Sequence, residues 1–273
     1  MPHFLFSLRP LSAVCLLVFA VACEAPKKDK AATAAPDNSA YPAAEGFNKA
    51  GSDAKAIAIA DRVMEKMGGY PNWQKAHFLG WSFFGGQYQI WDKYTGDFHW
   101  QKDDLVANYN LNKKTGHAYK AGQDISNTEE GKQLLDKMYP TWVNNSWWLV
   151  MPFKLKDSGV TLKYKGPAKT RQGADADMLE MTFQNVGVTP DNRYEVLVNK
   201  ATGLVDEWAY FPKATDAKPA FRRRWSDYSR HDGIMLAADR SDSTKTTRLD
   251  DIAAVQTLPA GIMTSPTPVT KIK

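Results

Sequence analysis

Apolar and polar residues alternate along much of the chain after residue 77, as in β-strands that have one buried face and one exposed face. In the segment 77–83, Leu79, Trp81 and Phe83 share one face. The same period of two recurs at Phe98 and Trp100, at Leu105, Ala107, Tyr109 and Leu111, at Val160, Leu162 and Tyr164, at Leu179, Met181 and Phe183, and at Tyr194, Val196 and Val198. The pattern predicts about nine to eleven antiparallel strands.

A five-residue turn pattern separates several of these strands. Residues 92–96, 112–116 and 199–203 each contain Asp or Asn, then Lys, a variable residue, Thr and Gly. Asp or Asn accepts backbone hydrogen bonds at the start of a type I turn, and Gly provides the positive φ of the closing bulge. The pattern therefore predicts three β-hairpins.

Helical spacing occurs in two places. Ala56, Ile57, Ala60, Val63, Met64 and Met67 have helical apolar spacing, in a helix that Ser52 or Asp53 can cap and that Gly68-Gly69 ends. A second helix is predicted over residues 127–139, with Pro140 ending it. A sheet of this width curls, and its concave side needs a filling. The expected fold is mainly β (α+β): a curved antiparallel sheet or incomplete β-barrel, with two or three helices on the concave side.

The N-terminus has the pattern of an export signal. Arg9 precedes an apolar run from Leu11 to Ala22, which is too short to span a bilayer as a helix. Cys23 after small residues resembles a bacterial lipoprotein signal. We expect a signal peptide over 1–22, lipid attachment at Cys23, a flexible Ala/Pro tether over 23–51, one domain over 52–265 and a tail over 266–273. Plain secretion with an incidental Cys23, or attachment at Cys15, are the alternatives.

This signal predicts an exported protein of the bacterial cell envelope, an outer-membrane lipoprotein that reaches the membrane through its lipid. Cys15 and Cys23 are the only two cysteines, so the mature body has no internal disulfide, thiolate metal site or cysteine nucleophile. The formal net charge is +5, and the densest basic run is Arg222–Arg224. Neither feature predicts nucleic-acid binding in an exported protein.

Few residues suggest catalysis. No G-x-S-x-G elbow or phosphate-binding glycine loop occurs. The S-x-x-K at 52–55 and the K-T-G at 114–116 are better explained as a helix cap and a turn. The acid pairs Asp177 with Glu180 and Asp206 with Glu207 could serve a glycosidase, but solvent-facing strand acids are the favoured interpretation. None of the histidines after the signal forms a close-spaced metal pair: His77, His99, His117 and His231.

We therefore predict no catalytic residue, no metal site and no cofactor. The unusual feature is the aromatic content, with nine tryptophans in 273 residues. Two interpretations remain open: the tryptophans fill one large core, or some of them line a cavity for an apolar or sugar-like ligand. The candidate cavity residues are Leu79, Trp81, Phe83, Phe98, Trp100, Tyr109, Trp147, Trp148, Leu179, Met181, Phe183 and Trp208.

Five segments resemble an uncharacterised family of bacterial lipoproteins and secreted proteins. They are Asn145–Val160, which contains WLVMPFKLKDSGV, and Gly68–Trp73, Trp91–Gly96, Thr182–Pro190 and Trp208–Phe211. The resemblance covers roughly residues 54–265. It implies an architecture like that of the LolA/LolB-type lipoprotein carriers, in which helices plug the concave side of a curved sheet and the cavity holds acyl chains. It implies no catalytic residues.

The expected function is non-catalytic binding of a lipid, of its acyl chains or of a lipoprotein. The helix at 127–139 and the segment 147–153 would serve as lid and rim. Two alternatives remain: an envelope interaction module with a filled core and no ligand, and an envelope hydrolase.

Overall fold

The structure is a computed structural model that describes residues 40–184, 186–189 and 191–273. The expected signal peptide, Cys23 and the first part of the tether lie outside these residues. No helix within the described part of the chain is long and apolar enough to cross a membrane.

Strands dominate the described residues, as the alternation predicts. The α-helices are α1 (Ala54–Lys66), α2 (Tyr70–Lys75) and α3 (Glu129–Val150). The strands are β1 (Phe78–Phe83), β2 (Gln87–Asp92), β3 (Asp97–Lys102), β4 (Leu105–Asn110), β5 (Thr115–Lys120), β6 (Gln123–Asp124), β7 (Val160–Lys169), β8 (Asp175–Phe183), β9 (Arg193–Asn199), β10 (Val205–Phe211), β11 (Phe221–Arg224), β12 (Ser226–His231), β13 (Ile234–Asp239) and β14 (Asp250–Val255). Short 3₁₀ helices occupy Met151–Lys154 and Ile262–Thr264.

These strands form three antiparallel sheets, in the orders β14-β1-β2-β3-β4-β5-β6, β11-β10-β9-β8-β7 and β12-β13. Backbone hydrogen bonds join the three sheets in space: Trp225 N–H donates to the Asp206 carbonyl, and Leu249 N–H donates to the Ala238 carbonyl. The predicted fold class, a curved antiparallel sheet that does not close, is confirmed. The described strands number fourteen rather than nine to eleven. Two of the additional strands are the two-residue β6 and the second strand formed where the stretch 221–231 divides at the buried Trp225.

Two of the three predicted turns are confirmed. In the β2–β3 hairpin, Asp92 Oδ1 accepts two backbone N–H groups and Gly96 has φ +77°. In the β9–β10 hairpin, Asn199 and Gly203, with φ +75°, take the same roles.

The third turn lies two residues earlier than predicted. Asn110, not Asn112, accepts the two backbone N–H groups of the turn, and Lys114 takes the left-handed conformation with φ +55°. Gly116 is therefore inside β5, where a Cβ atom would lie 2.3 Å from the Asn108 carbonyl oxygen. The absence of a Cβ atom at residue 116 therefore allows β4 and β5 to approach closely, and this glycine does not form the turn.

The end of the second predicted helix is wrong. Thr128 caps α3 by accepting the Gly131 N–H at 3.1 Å, but the helix then continues through Pro140 to Val150. Proline removes the N–H that would bond to the Asp136 carbonyl, and its ring displaces that carbonyl from the helix axis. Because Pro140 and Asp136 are both exposed, water can solvate that carbonyl. Trp147 and Trp148 thus lie on a helix rather than on a loop after it.

The packed body extends beyond residues 52 and 265 at both ends. Tyr41 is 4% exposed, and its hydroxyl donates to the Phe153 carbonyl at 2.9 Å. At the other end, Val269 and Ile272 pack on the convex face of the first sheet, where Ile272 N–H donates to the Tyr88 hydroxyl oxygen at 2.8 Å. This C-terminal segment covers His99, which is fully buried.

His99 makes the stability of this face depend on pH. Its ring nitrogens contact Asn108 Oδ1 at 2.7 Å and Gln101 Oε1 at 2.9 Å. Burial lowers the pKa of His99, and these two oxygens offset the effect only in part. The folded protein then keeps the ring neutral at a pH where the unfolded chain, with a pKa of about 6.5, binds a proton.

We therefore expect the free energy of unfolding to be independent of His99 titration above about pH 6.5. Below that value, proton binding by His99 in the unfolded chain should lower the free energy of unfolding. In urea denaturation at pH 7 and pH 5.5, wild type should lose more free energy of unfolding than His99→Gln over this interval. Equal losses in the two proteins would show that His99 is not the group responsible.

Candidate functional site

The twelve residues predicted to line a cavity all belong to one apolar core between the sheets and the helices. Eight of them are buried: Leu79, Trp81, Phe98, Trp100, Tyr109, Leu179, Met181 and Trp208. The other four, Phe83, Trp147, Trp148 and Phe183, are half-buried. The structure thus brings the predicted set together, and α1 and α3 bury apolar residues in the same core. Their part in ligand binding stays a prediction.

The four half-buried candidates are part of a larger surface, which we name the aromatic rim. It consists of seven half-buried aromatic residues: Phe83, Phe84, Trp147, Trp148, Phe183, Tyr210 and Phe221. Trp148 on α3 is central, with its ring centroid 5.2 Å from Phe84, 5.5 Å from Phe221 and 5.0 Å from the buried Trp208. Trp147 lies 5.7 Å from Phe183. The rim joins β1, α3 and the strands β8, β10 and β11.

Sequence reasoning missed three members of the rim. Tyr210 could have been found, because it lies two residues after Trp208 and so shares its face of β10. Phe84 falls in the β1–β2 turn, outside any alternation, and Phe221 precedes a run of three arginines. Their position depends on strand pairing across the sheet, which a local pattern does not contain.

Several buried indole N–H groups of the core and the aromatic rim have no hydrogen-bond acceptor. Among the described residues these are Trp81, Trp142, Trp147, Trp208 and Trp225. Trp100 differs, because its Nε1 donates to Gln87 Oε1 at 2.8 Å. A buried tryptophan usually finds an acceptor for this group. The interior is therefore well packed with carbon but short of acceptors.

A buried polar cluster lies between α3 and β2. Asn145 Nδ2 donates to Gln87 Oε1 at 3.2 Å and to Gln89 Oε1 at 3.1 Å. Gln87 Nε2 donates to the Phe84 carbonyl at 3.0 Å. Gln89 is fully buried, and its Nε2 has no partner. These contacts hold the C-terminal part of α3 against the concave face of the sheet.

Arg240 fixes the C-terminal end of α3. Its Nε and Nη2 donate to the Trp148 carbonyl at 3.0 and 2.7 Å, and its guanidinium carbon lies 3.6 Å from the centre of the Trp225 ring. Further hydrogen bonds go to the Ala237 and Asp239 carbonyls. Burial lowers the pKa of Arg240 to about 9, so the group remains charged at neutral pH. A cation at this position also complements the negative end of the helix dipole.

Two pockets lie outside this interior. One, of about 400 Å³, is lined mainly by polar and charged residues of β1, β14 and the β3–β4 turn, together with Lys271. Of the twelve candidates only Phe83 lines it. The other is an open depression of about 700 Å³ beside Asp175 and Lys200. Neither is an apolar cavity.

The candidate catalytic groups are dispersed in separate contacts. His77 Nε2 lies 3.2 Å from the Asp92 carboxylate, and His117 Nδ1 lies 3.4 Å from the Asp124 carboxylate. His231 contacts the Ser229 hydroxyl at 2.7 Å. Residues 40–184, 186–189 and 191–273 contain no group of three or more His, Cys, Asp or Glu side chains that could hold a metal ion.

The acids considered for a glycosidase take part in ion pairs or hydrogen bonds on the sheet. Glu180 and Glu207 lie 3.4 and 3.2 Å from Arg193 and Arg222, respectively. Asp177 lies 3.7 Å from Lys200, and Asp206 accepts from Asn199 at 2.6 Å. These contacts fit structural roles for the four acids.

Comparison with known proteins gives structural likeness only. No family model matches the chain, and no curated protein matches it. A DUF1329 family protein from Desulfovibrio piger has a TM-score of 0.40 at 12% identity, covering 76% of this chain and 96% of its own. An uncharacterized conserved protein from Thermus thermophilus has a TM-score of 0.23 at 12% identity, covering 62% and 87%. MucB has a TM-score of 0.24 at 10% identity, covering 72% and 66%. At these values the likeness carries no argument about function.

Proposed function

We propose that the protein is a non-catalytic binding protein of the cell envelope that takes up an acyl chain between α3 and the concave face of the sheet. The aromatic rim is the entrance. The observation that carries this proposal is the concentration of seven half-buried aromatic side chains at one end of the core. Contiguous apolar surface of this kind favours an apolar partner.

The energetics favour a hydrocarbon chain. Each methylene moved from water into an apolar interior contributes roughly 0.8 kcal/mol. About ten methylenes would therefore provide on the order of 8 kcal/mol, which offsets the cost of parting packed surfaces and leaves affinity in a measurable range. Aromatic rings accept such chains without losing hydrogen bonds of their own.

Uptake requires α3 to move, because α3 fills the concave side. Its apolar side chains pack on the core, and its side-chain hydrogen bonds to the sheets include two near its C-terminal end: Asn145 bonds to β2, and Arg240 bonds to the Trp148 carbonyl. Pro140 interrupts its backbone hydrogen bonds between these contacts and the Thr128 cap. A helix fixed in this way can bend at Pro140 while the residues on either side remain helical.

The filled interior favours a second candidate, an interaction module that binds no ligand. Eight of the twelve predicted cavity residues are buried by the chain's own side chains. In that case the aromatic rim would be part of a contact with another protein. The two candidates differ in whether small apolar molecules bind.

Titration with diphenylhexatriene, a hydrocarbon that fluoresces when it leaves water, distinguishes them. The measurement uses the full chain with the substitution Cys23→Ser. This substitution removes the expected lipid attachment, so no covalently attached acyl chain competes with the probe. We expect a saturable rise in fluorescence with a dissociation constant in the micromolar range. Fluorescence no higher than that of a soluble protein without such a rim would favour the interaction module.

Membrane attachment at Cys23 is a separate part of the proposal, supported by the N-terminal pattern alone. In cells given a labelled fatty acid, wild type should carry the label and fractionate with membranes. Cys23→Ser should lose both properties. Persistent labelling of Cys23→Ser would contradict attachment at this residue.

A further inference from the structure

The polar cluster between α3 and β2 contains hydrogen-bond donors that the protein leaves unused. Gln89 and Trp81 are both fully buried. Gln89 Nε2 and Trp81 Nε1 have no acceptor. The two residues lie directly opposite each other in the β1–β2 ladder, so their side chains leave the same face of the sheet as neighbours.

The orientation of the Gln89 amide follows from its surroundings. An indole N–H can only donate, so Trp100 Nε1 requires the oxygen of Gln87 at its position. Asn145 therefore directs its Nδ2 toward Gln87 Oε1. The same Nδ2 lies 3.1 Å from Gln89, which must present its oxygen there. Gln89 Nε2 consequently bonds to no member of the cluster, and both of its hydrogens are without an acceptor.

We infer that Gln89 and Trp81 form a binding site for the carbonyl oxygen of a neutral acyl ester. This inference rests on the proposed function, because the ester would enter with its chain through the aromatic rim. The unpaired atoms are all donors, and an ester oxygen accepts without donating. A water molecule in the same place could accept from these donors, but its own two hydrogens would still need acceptors.

The side chains of the cluster also favour an ester over a free acid. Gln87, Gln89, Asn145, Trp81 and Trp100 are all neutral. A carboxylate bound among them would be buried without an opposite charge, which is strongly unfavourable. An ester carbonyl places no net charge in this interior.

The distance from the rim fits such a ligand. Phe83 of the rim lies opposite Gln87, whereas Trp81 lies opposite Gln89. Two residues along a strand correspond to about 7 Å. On α3, Trp148 and Asn145 are three residues apart and share a face. The same movement of α3 therefore exposes both the rim and the donor pair.

The test compares three fluorescent probes on the full chain carrying Cys23→Ser: cis-parinaric acid methyl ester, the free acid and diphenylhexatriene. We expect the methyl ester to bind more tightly than the acid at pH 7. Gln89→Met should lower the ratio of ester affinity to hydrocarbon affinity about fivefold, and Trp81→Phe should lower it about threefold. Gln133→Met is the matched control, because Gln133 is exposed on α3 and bonds to Glu129 outside the polar cluster, and it should leave the ratio within twofold.

The outcomes separate this inference from the proposed function. If diphenylhexatriene does not bind to the parent protein, the proposed function fails and this inference fails with it. If the hydrocarbon and the ester both bind but the ratio in Gln89→Met equals that of the parent, the donors hold only water and this inference alone is wrong. Tighter binding of the acid, with a dependence on Gln89, would overturn the assignment of an ester.

Discussion

Replacement of Arg240 by methionine should lower the free energy of unfolding by about 3–5 kcal/mol. The guanidinium is fully buried and bonds to three backbone carbonyls, those of Ala237, Trp148 and Asp239. Methionine has a similar length but no donor, so these carbonyls lose a charged partner in an environment with little access to water. The lost stacking on Trp225 adds to the cost.

Urea denaturation monitored by tryptophan fluorescence measures this effect. Arg230→Met is the matched control, because Arg230 is exposed and bonds to the Gly233 carbonyl near the surface. It should change stability by about 0.5 kcal/mol or less. Arg240→Lys should lie between the two, since lysine keeps the charge but loses the fork of donors. A loss below about 1 kcal/mol in Arg240→Met would contradict a role for Arg240 in holding α3.

Replacement of Trp148 by leucine should weaken binding of diphenylhexatriene about thirtyfold, or about 2 kcal/mol. The Trp148 ring contacts rim residues from the β1–β2 turn and β11 as well as the buried Trp208. Leucine keeps the site apolar but removes the surface that connects the two halves of the rim. The loss should therefore exceed the effect of its smaller apolar area.

Trp73→Leu is the control for Trp148→Leu. Trp73 is also half-buried and stacks on Phe153 at 4.3 Å, but it lies outside the aromatic rim. It should leave probe affinity within about twofold of the parent protein. Urea denaturation of both variants confirms that each is folded under the binding conditions. Equal losses of affinity in the two would show that the rim is not the entrance.

The strands and two of the hairpins could be predicted because their signals are local. Alternation at Leu79, Trp81 and Phe83 fixes a face, and Asp92 with Gly96 fixes a turn within five residues. The third hairpin forms between β4 and β5, but its turn lies two residues earlier than predicted, because Asn110 and Asn112 can both start the turn and strand register chooses between them. The predicted end of α3 at Pro140 is wrong for a related reason. Whether a proline ends a helix depends on whether water can solvate the carbonyl four residues earlier, here that of Asp136, and a local sequence pattern does not show this.

The candidate site could be predicted only in part. The aromatic residues on alternating strand positions do meet in one core, as the pattern indicates. Their burial depends on α3, which is longer than the pattern predicts and occupies the concave side next to the aromatic rim. Residues such as Gln89, Asn145 and Arg240 are unremarkable in the sequence. Their importance depends on which groups the fold places next to them, and only the packed structure shows those neighbours.

The central claim is that α3 moves away from the sheet when a ligand enters. Cysteine is absent after residue 23, so spin labels can be placed at Asn144 on α3 and at Tyr94 in the β2–β3 turn, both exposed, in a background with Cys15→Ser and Cys23→Ser. Pulsed electron-spin resonance then measures the distance between the labels with and without cis-parinaric acid methyl ester. A longer distance at saturating ester is the predicted result. An unchanged distance while the ester is bound would contradict the account.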